Sequence, residues 1–114
     1  MLTERGQVYG FDFGPRRDSR IEGPHSVVVV QTDKLNKLER YTLTIVVPVT
    51  SKMRQSPTYV ELQPGSESGL TLVSYAKCDQ IYTVPKSELG SLKGKVSKTE
   101  LYQIGEALSL VTGA

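Results

Sequence analysis

The sequence contains very few of the residues that usually form cross-links or bind structural metals. Among its 114 residues there is one cysteine, Cys78, and one histidine, His25. A single cysteine excludes a disulfide within the chain. A structural zinc site takes about four cysteine or histidine ligands, so these two residues do not suffice for one. We therefore expect no metal and no cofactor.

Long apolar segments are also missing. The longest uninterrupted apolar run spans residues 27–30, whereas a helix that crosses a membrane needs about 20 apolar residues. The first residues show no signal-peptide core. The hydrophobic content of 38% and the charged content of 23% are ordinary for a globular protein. We therefore expect one domain over residues 1–114, located in the cytoplasm.

Positive charge is concentrated in the first half of the chain. Residues 1–54 contain nine lysines and arginines against six acidic residues, and residues 55–114 contain five against six. Arg16, Arg17 and Arg20 lie close together in a segment that also contains Gly14 and Gly23. This composition predicts a mobile basic loop. It is either a solvated loop or a contact for the phosphates of a nucleic acid.

Most of the chain has the pattern of short β-strands. Two runs of β-branched apolar residues predict buried strands at residues 26–32 and 41–49. Shorter segments bounded by turn residues predict further strands at residues 7–13, 57–62, 70–76, 80–84 and 92–96. Residues 14–25 are predicted to form a long loop, and the polar residues 33–40 a helical turn at most.

The last part of the sequence has the pattern of a helix. Ser97 and Glu100 have the spacing of a capping box, in which each side chain accepts a hydrogen bond from the other residue's backbone. Apolar residues then recur every three or four positions, at Leu101, Ile104, Leu108 and Val111. Six or seven strands and one C-terminal helix predict a β-rich α+β fold built on a small, bent sheet or partial barrel.

Polar side chains stand at the ends of the two buried strands. His25 precedes the first strand, and Thr50 and Ser51 follow the second. If these strands are antiparallel neighbours, the start of one lies beside the end of the other. An imidazole would then lie near two hydroxyl groups at one rim of the sheet. Because histidine exchanges protons near neutral pH, we expect any acid–base chemistry at this rim.

Six short segments follow one another in a characteristic order. They are RGQVY at 5–9, GPHSVVVVQ at 23–31, VPVTSK at 47–52, PTYVEL at 57–62, GL at 69–70 and DQI at 79–81. This arrangement resembles the MazF/PemK family of toxin endoribonucleases. The resemblance implies a bent, SH3-like barrel with a C-terminal helix. It also implies a homodimer that cleaves single-stranded RNA without a metal, and a cognate antitoxin that neutralises it.

The resemblance assigns roles to particular residues. Thr50 stands at the position of the family's catalytic threonine, and His25 at the position of its catalytic arginine. By this resemblance Thr50 holds or polarises the scissile phosphate and His25 acts in proton transfer. Contacts to RNA are expected from six further residues: Arg16, Arg17, Arg20, Ser51, Lys52 and Gln80.

The chain departs from the family's pattern at several positions. Besides His25, the departures are Gln7 for aspartate, Arg20-Ile21 for Glu-Gln, Ser26 for proline and Tyr82 for arginine. Two interpretations follow. In the first, cleavage persists, with His25 as acid or base and Arg17 or Arg20 supplying the lost positive charge. In the second, the chain is an inactive relative or a pure binding protein, as the CcdB toxins that bind DNA gyrase are.

Several side chains also have simpler interpretations. Without the resemblance, Thr50 and Ser51 would be expected only to satisfy backbone groups at the end of a strand. Cys78 is expected to be a packing residue, because no second histidine is present to activate its thiol. Four tyrosines are candidates either for stacking on RNA bases or for half-buried packing: Tyr41, Tyr59, Tyr75 and Tyr82.

Overall fold

The fold is a curled antiparallel sheet with a C-terminal helix, as the sequence predicts. The computed structural model describes residues 3–15 and 21–114. Its strands are β1 (Gln7–Asp12), β2 (Pro24–Val29), β3 (Leu43–Thr50), β4 (Tyr59–Leu62), β5 (Ser74–Lys77), β6 (Tyr82–Pro85) and β7 (Leu92–Lys95). Its helices are α1 (Asp33–Asn36) and α2 (Lys98–Thr112), and a 3₁₀ turn covers Lys86–Glu88.

Strand β3 organises the sheet, because three other strands pair with it. Along one edge β3 pairs with β2, with Val28 opposite Val47. Along the other edge it pairs first with β6 and then with β5, where Thr50 lies opposite Tyr75. The main strand order is β4-β5-β3-β2-β1-β7. Because two strands share one edge of β3, the sheet bends there, and the end of β3 reaches the rim.

The valine runs are buried because both faces of the sheet are covered. Successive residues of a strand point to opposite faces, so an uninterrupted apolar run indicates cover on both sides. One face packs against α2 through Ile104 and Ala107 and carries Val28, Val30, Val47 and Val49. The other face forms a second cluster with Tyr9, Phe11, Val27, Val29, Val46 and Val84.

Helix α2 begins as its sequence predicts, but its buried stripe is shorter than predicted. The Ser97 hydroxyl accepts a hydrogen bond from the Glu100 backbone N–H, and a Glu100 oxygen accepts one from the Ser97 N–H. Its other oxygen accepts a bond of 2.8 Å from the Gln63 N–H, which fixes the start of the helix to the end of β4. Val111 is 39% exposed, so the buried stripe ends before it. No helix within residues 3–15 and 21–114 is long and apolar enough to cross a membrane.

Two strands differ from the predicted bounds near the rim of the sheet. Strand β2 begins at Pro24, because β1 continues to Asp12 and pairs with it. His25 therefore lies inside a strand, opposite Phe11, and not in the predicted loop. Strand β5 begins only at Ser74, since residues 70–73 are irregular, with a bend at residues 71 and 72. The predicted basic loop includes residues 16–20, which lie outside the described part of the chain.

A buried polar cluster fixes α1 to β3. The Asn36 side-chain oxygen accepts hydrogen bonds of 2.9 Å from the Gln31 amide and from the Thr44 hydroxyl. The Asn36 amide in turn donates to the Gln31 backbone carbonyl and to Asp33. Asn36 is 1% exposed and Thr44 is fully buried, so water cannot replace these bonds. The cluster therefore contributes to stability and sets the position of β3.

Replacing Thr44 by valine tests this cluster. The substitution keeps the shape of the side chain but removes the hydrogen bond to Asn36. We expect Thr44→Val to lower the free energy of unfolding by about 1–2 kcal/mol, measured by urea denaturation. The matched control is Thr42→Val, at an exposed position two residues away, which should change it by less than about 0.5 kcal/mol. Equal effects of the two substitutions would show that the hydrogen bond from Thr44 to Asn36 does not contribute to stability.

Candidate active site

The pairing of β2 with β3 brings the predicted acid–base residue and the predicted hydroxyls to one rim. The antiparallel register places Val27 opposite Pro48, so His25 and Thr50 follow at the same end of the two strands. The side chains of His25, Thr50 and Ser51 line one cavity of about 400 Å³. This volume lies within the usual range of pockets for small ligands. We call this space the rim cavity.

The walls of the rim cavity are rich in hydroxyl groups and carry positive charge. The hydroxyl-bearing residues are Ser26, Thr50, Ser51, Thr71 and Ser74. Lys52 and Lys93 also line the space, and none of the lining residues in the described part of the chain is acidic. Hydroxyl donors and ammonium groups both stabilise negative charge. The cavity is therefore suited to an anionic group such as a phosphate.

The ring of His25 is oriented by one hydrogen bond and one aromatic contact. Its Nε2 atom lies 3.0 Å from the backbone carbonyl oxygen of Glu22. Because a carbonyl only accepts hydrogen bonds, this contact assigns the proton of the neutral ring to Nε2, and Nδ1 then carries the free lone pair. The ring also makes an edge contact with Phe13, with centroids 6.2 Å apart.

Phe13 connects His25 to the second hydrophobic cluster. The Phe13 ring packs edge-on against Phe11 at 4.8 Å and against Tyr82 at 5.0 Å between centroids. Tyr82, which stands where the resemblance expects an arginine, is therefore a packing residue that supports Phe13. Phe13 was not assigned to the site from the sequence. The alternation of Phe11 with Phe13, which lies one residue beyond β1, was the signal, but it does not show which residue the Phe13 ring contacts.

The hydroxyl of Thr50 has a structural contact that leaves its proton available. Its oxygen accepts a hydrogen bond of 3.1 Å from the backbone N–H of Lys52. This is the strand-ending role that the simpler interpretation predicts. The bond uses a lone pair of the oxygen and not the hydroxyl hydrogen. Thr50 can therefore end the strand and at the same time donate a hydrogen bond to a ligand in the cavity.

Close backbone packing builds the wall opposite His25. The turn between β4 and β5 lies against β7, where the Lys95 N–H donates to the Glu67 carbonyl at 2.7 Å. A methyl group on Gly69 would overlap the carbonyl group of Lys93, and one on Gly94 would overlap the backbone at Glu67 and Ser68. Glycine at these two positions therefore allows the turn to reach β7 and to close the cavity with Leu70, Thr71 and Leu72.

Four polar residues of the cavity received no role from the sequence: Ser26, Thr71, Ser74 and Lys93. Lys93 donates a hydrogen bond of 2.7 Å from its Nζ atom to the Ser26 hydroxyl oxygen. Both residues line the rim cavity. Ser26 was noted only as a departure from a family pattern. Lys93 lies in an exposed Lys-Gly-Lys segment of the last strand, and nothing in the sequence places β7 near β2.

The other predicted residues lie away from the cavity or outside the described chain. Gln80 belongs to the turn before β6, where its N–H bonds the Lys77 carbonyl at 3.0 Å, and it does not line the cavity. The four candidate tyrosines do not line the cavity either, although Tyr75 of β5 is paired with Thr50 of β3. The three predicted arginines, Arg16, Arg17 and Arg20, lie outside the described residues.

Cys78 is a packing residue, as predicted. Its side chain is fully buried in the main core. Burial, together with the nearby charge of Asp79, raises the pKa of the thiol to about 12. The neutral thiol is therefore the form present near neutral pH, and it is a poor nucleophile. Within residues 3–15 and 21–114, no three His, Cys, Asp or Glu side chains are grouped so that they could hold a metal ion.

Comparisons with known proteins agree with this fold. The chain is 33% identical over 113 residues to endoribonuclease MazF9 of Mycobacterium tuberculosis, covering 96% of this chain and 95% of that protein. It is 26% identical over 110 residues to endoribonuclease EndoA of Bacillus subtilis, covering 96% and 94% of the two chains. The class that these relatives and the curled sheet define is that of endoribonuclease toxins.

Solved structures and a family profile lead to the same assignment. A mycobacterial endoribonuclease in complex with its cognate antitoxin superposes with a TM-score of 0.80 at 29% identity, covering 97% of this chain and 95% of that one. The profile described as PemK-like, MazF-like toxin of type II toxin-antitoxin system matches residues 4–112. The chain belongs to this family, as the resemblance in the sequence indicated.

The cavity wall can be tested at Gly69. Gly69 and Gly23 both have a φ of +73°, but an added methyl group has open space only at Gly23. Gly23→Ala should therefore lower the free energy of unfolding by about 1–2 kcal/mol, through backbone strain alone. Gly69→Ala should lower it by clearly more, because the turn must also move away from β7. Urea denaturation of the two variants measures this difference, and equal losses would show that the wall does not depend on the close approach.

Proposed function

We propose that this chain is a sequence-selective endoribonuclease toxin, one domain over residues 1–114, that cleaves single-stranded RNA in the rim cavity. The observation that carries the proposal is the position of His25 and Thr50 in one cavity with two lysines and no described acidic residue. A proton-exchanging group and hydrogen-bond donors for a phosphate then face the same space. The curated relatives with this fold are endoribonucleases, which agrees with the proposal.

The chemistry uses the RNA's own 2′-hydroxyl as the nucleophile. A base removes the proton from this hydroxyl, and its oxygen forms a bond to the adjacent phosphorus. The bond from phosphorus to the 5′-oxygen of the next nucleotide breaks, and that oxygen receives a proton. The products are a 2′,3′-cyclic phosphate and a free 5′-hydroxyl. The protein must therefore supply a base, stabilise negative charge on the phosphate and allow a proton to reach the leaving oxygen.

His25 is the residue for the first proton transfer. Its Nε2–H is directed to the Glu22 carbonyl, so Nδ1 accepts the proton of the 2′-hydroxyl. The proton for the leaving 5′-oxygen comes from water, because the cavity is open to solvent. Thr50 donates its hydroxyl hydrogen to a non-bridging phosphate oxygen and stabilises the charge that develops there. No step of this mechanism needs a metal ion.

Further contacts hold the RNA on either side of the scissile phosphate. Ser51 and Lys52 follow Thr50 and line the cavity, so they meet the phosphate nearest to the bond that breaks. We expect the arginines of the basic segment, Arg16, Arg17 and Arg20, to contact the neighbouring phosphates. Gln80 lies outside the cavity and would contact a different nucleotide.

Two protein partners belong to this proposal. The first is a cognate antitoxin, since a structural relative was solved in complex with its own. The second is another copy of the chain, which the family resemblance implies. Leu72 at the cavity is 60% exposed, and the nearby Met53 and Val73 are 70% and 41% exposed. Apolar side chains at the edge of the cavity are consistent with a partner that covers them. We place the toxin in the cytoplasm, where its RNA substrate is found.

Replacing Thr50 tests the proposed cleavage directly. Thr50→Val keeps a β-branched side chain at the end of β3 and removes only the hydroxyl. We expect cleavage of single-stranded RNA in EDTA to fall about 100-fold or more, because one hydrogen-bond donor to the developing charge is lost. Sequencing of RNA 5′ ends gives both the rate and the cleavage motif.

Thr50→Ser is the matched control, since it keeps the hydroxyl and should retain most of the activity. Circular dichroism should show that the melting temperature of both variants is close to that of the unchanged protein. A folded Thr50→Val protein that cleaves at the original rate would contradict the role of this hydroxyl.

The pH dependence of cleavage tests His25. Histidine is the side chain that ordinarily changes its charge between about pH 5 and 8. If Nδ1 is the base, kcat/KM should rise with pH, because only the unprotonated nitrogen can accept a proton. In His25→Arg this rise should disappear, because a guanidinium does not release its proton near neutral pH.

Two results would contradict this assignment. An identical pH profile in His25→Arg would show that the ring transfers no proton. If the unchanged protein binds RNA but does not cleave it in EDTA, the non-catalytic interpretation is correct and the chain acts by binding alone.

A further inference from the structure

We infer that Lys93 is a substrate-binding residue whose ammonium group contacts a phosphate of the RNA in the rim cavity. This inference rests on the proposed function. The positive charge beside His25 and Thr50 then comes from β7, a strand for which the sequence predicted no role in the site.

The first observation is the path of the Lys93 side chain. Lys93 belongs to β7, whereas Ser26, to which it donates, belongs to β2, and β1 lies between the two strands. The residue of β1 opposite Ser26 is Gly10. A Cβ atom at Gly10 would lie 3.8 Å from Cε of Lys93, so the lysine passes directly over this glycine. A longer side chain at position 10 would block the path.

The second observation is the backbone that presents Lys93. Val8 pairs with Gly94 and the next residue, Tyr9, pairs with Leu92, so Lys93 is the extra residue of a bulge in β7. Bulges redirect a side chain relative to the regular alternation of a strand. The turn at Gly69 packs on the Lys93 carbonyl, and Lys95 is hydrogen-bonded to Glu67. The base of the lysine is therefore held from two sides.

The third observation is the charge around the ammonium group. In the described part of the chain, the hydrogen-bond partner of Lys93 is the neutral Ser26 hydroxyl, at 2.7 Å, and no carboxylate forms an ion pair with the lysine. Lys95, two residues along the same strand, pairs instead with Glu4 at 3.4 Å. Among the described residues the charge of Lys93 is thus not neutralised, and two of its N–H groups can still be donated to a ligand.

These observations together describe a group adapted to a phosphate. Ser26 accepts the bond from Lys93 with its oxygen, so its own hydroxyl hydrogen can also be donated into the cavity. Lys93 therefore brings a positive charge to the site from a strand other than those that carry His25 and Thr50.

The experiment compares Lys93→Gln with Lys95→Gln, a matched loss of one lysine from the same strand. The probe is a fluorescein-labelled, single-stranded 2′-O-methyl RNA, which binds without being cleaved. Fluorescence anisotropy at several KCl concentrations gives the slope of log K against log salt concentration. Each phosphate contact contributes about −0.7 to this slope for a single strand. Cleavage of an unmodified RNA is measured in parallel, and urea denaturation checks that each variant is folded.

We expect Lys93→Gln to bind about tenfold more weakly, to reduce the steepness of the slope by about 0.7 and to cleave about 100-fold more slowly. Lys95→Gln should match the unchanged protein, and Lys93→Arg should keep the slope because it keeps the charge. If both glutamine variants change equally, or neither changes, the assignment of Lys93 is wrong. If the unchanged protein binds the probe but cleaves no RNA, the proposed function fails, and the slopes still decide the role of Lys93.

Discussion

The geometry of the candidate active site depends on the way in which β3 pairs with its neighbours. One edge of β3 holds β2, and its other edge is divided between β6 and β5. This division curls the sheet and carries the end of β3 to the rim, beside the start of β2. The acid–base candidate, His25, and the hydroxyl proposed to bind phosphate, that of Thr50, come from different strands, and the pairing of β2 with β3 brings them together. The arrangement of the candidate site is therefore a property of sheet topology.

Much of the fold follows from local sequence patterns. The β-branched runs predict β2 and β3 because a strand covered on both faces needs apolar residues at every position. The capping box at Ser97 and Glu100 predicts the start of α2 because it satisfies backbone donors within one turn. The bounds of β2 and β5 were less accurate. They depend on how far the partner strands extend, and a strand's own residues do not contain that information.

Part of the site could be predicted in the same way and part could not. His25 and Thr50 could be predicted from the sequence, since each flanks a recognisable strand and antiparallel pairing makes such strand ends neighbours. Lys93 could not be predicted, because its place beside Ser26 depends on a bulge in β7 and on the absence of a side chain at Gly10. Phe13 was missed for a similar reason, as its contact with His25 joins two strands across a turn. Contacts between distant segments need three-dimensional information.

The buried cluster around Asn36 has a consequence for the order of folding. It closes a short stretch of chain, in which the Gln31 side chain reaches the Leu43 carbonyl twelve residues away. The β1–β7 pairing instead joins Gln7 to Lys95, almost the whole length of the chain. Closing the longer loop costs more chain entropy, so the β2–α1–β3 unit should form early and β7 should join late. An incompletely folded chain would then have His25 and Thr50 in place without the strand that completes the wall. Such a chain would lack Lys93 at the rim cavity until its last strand docks.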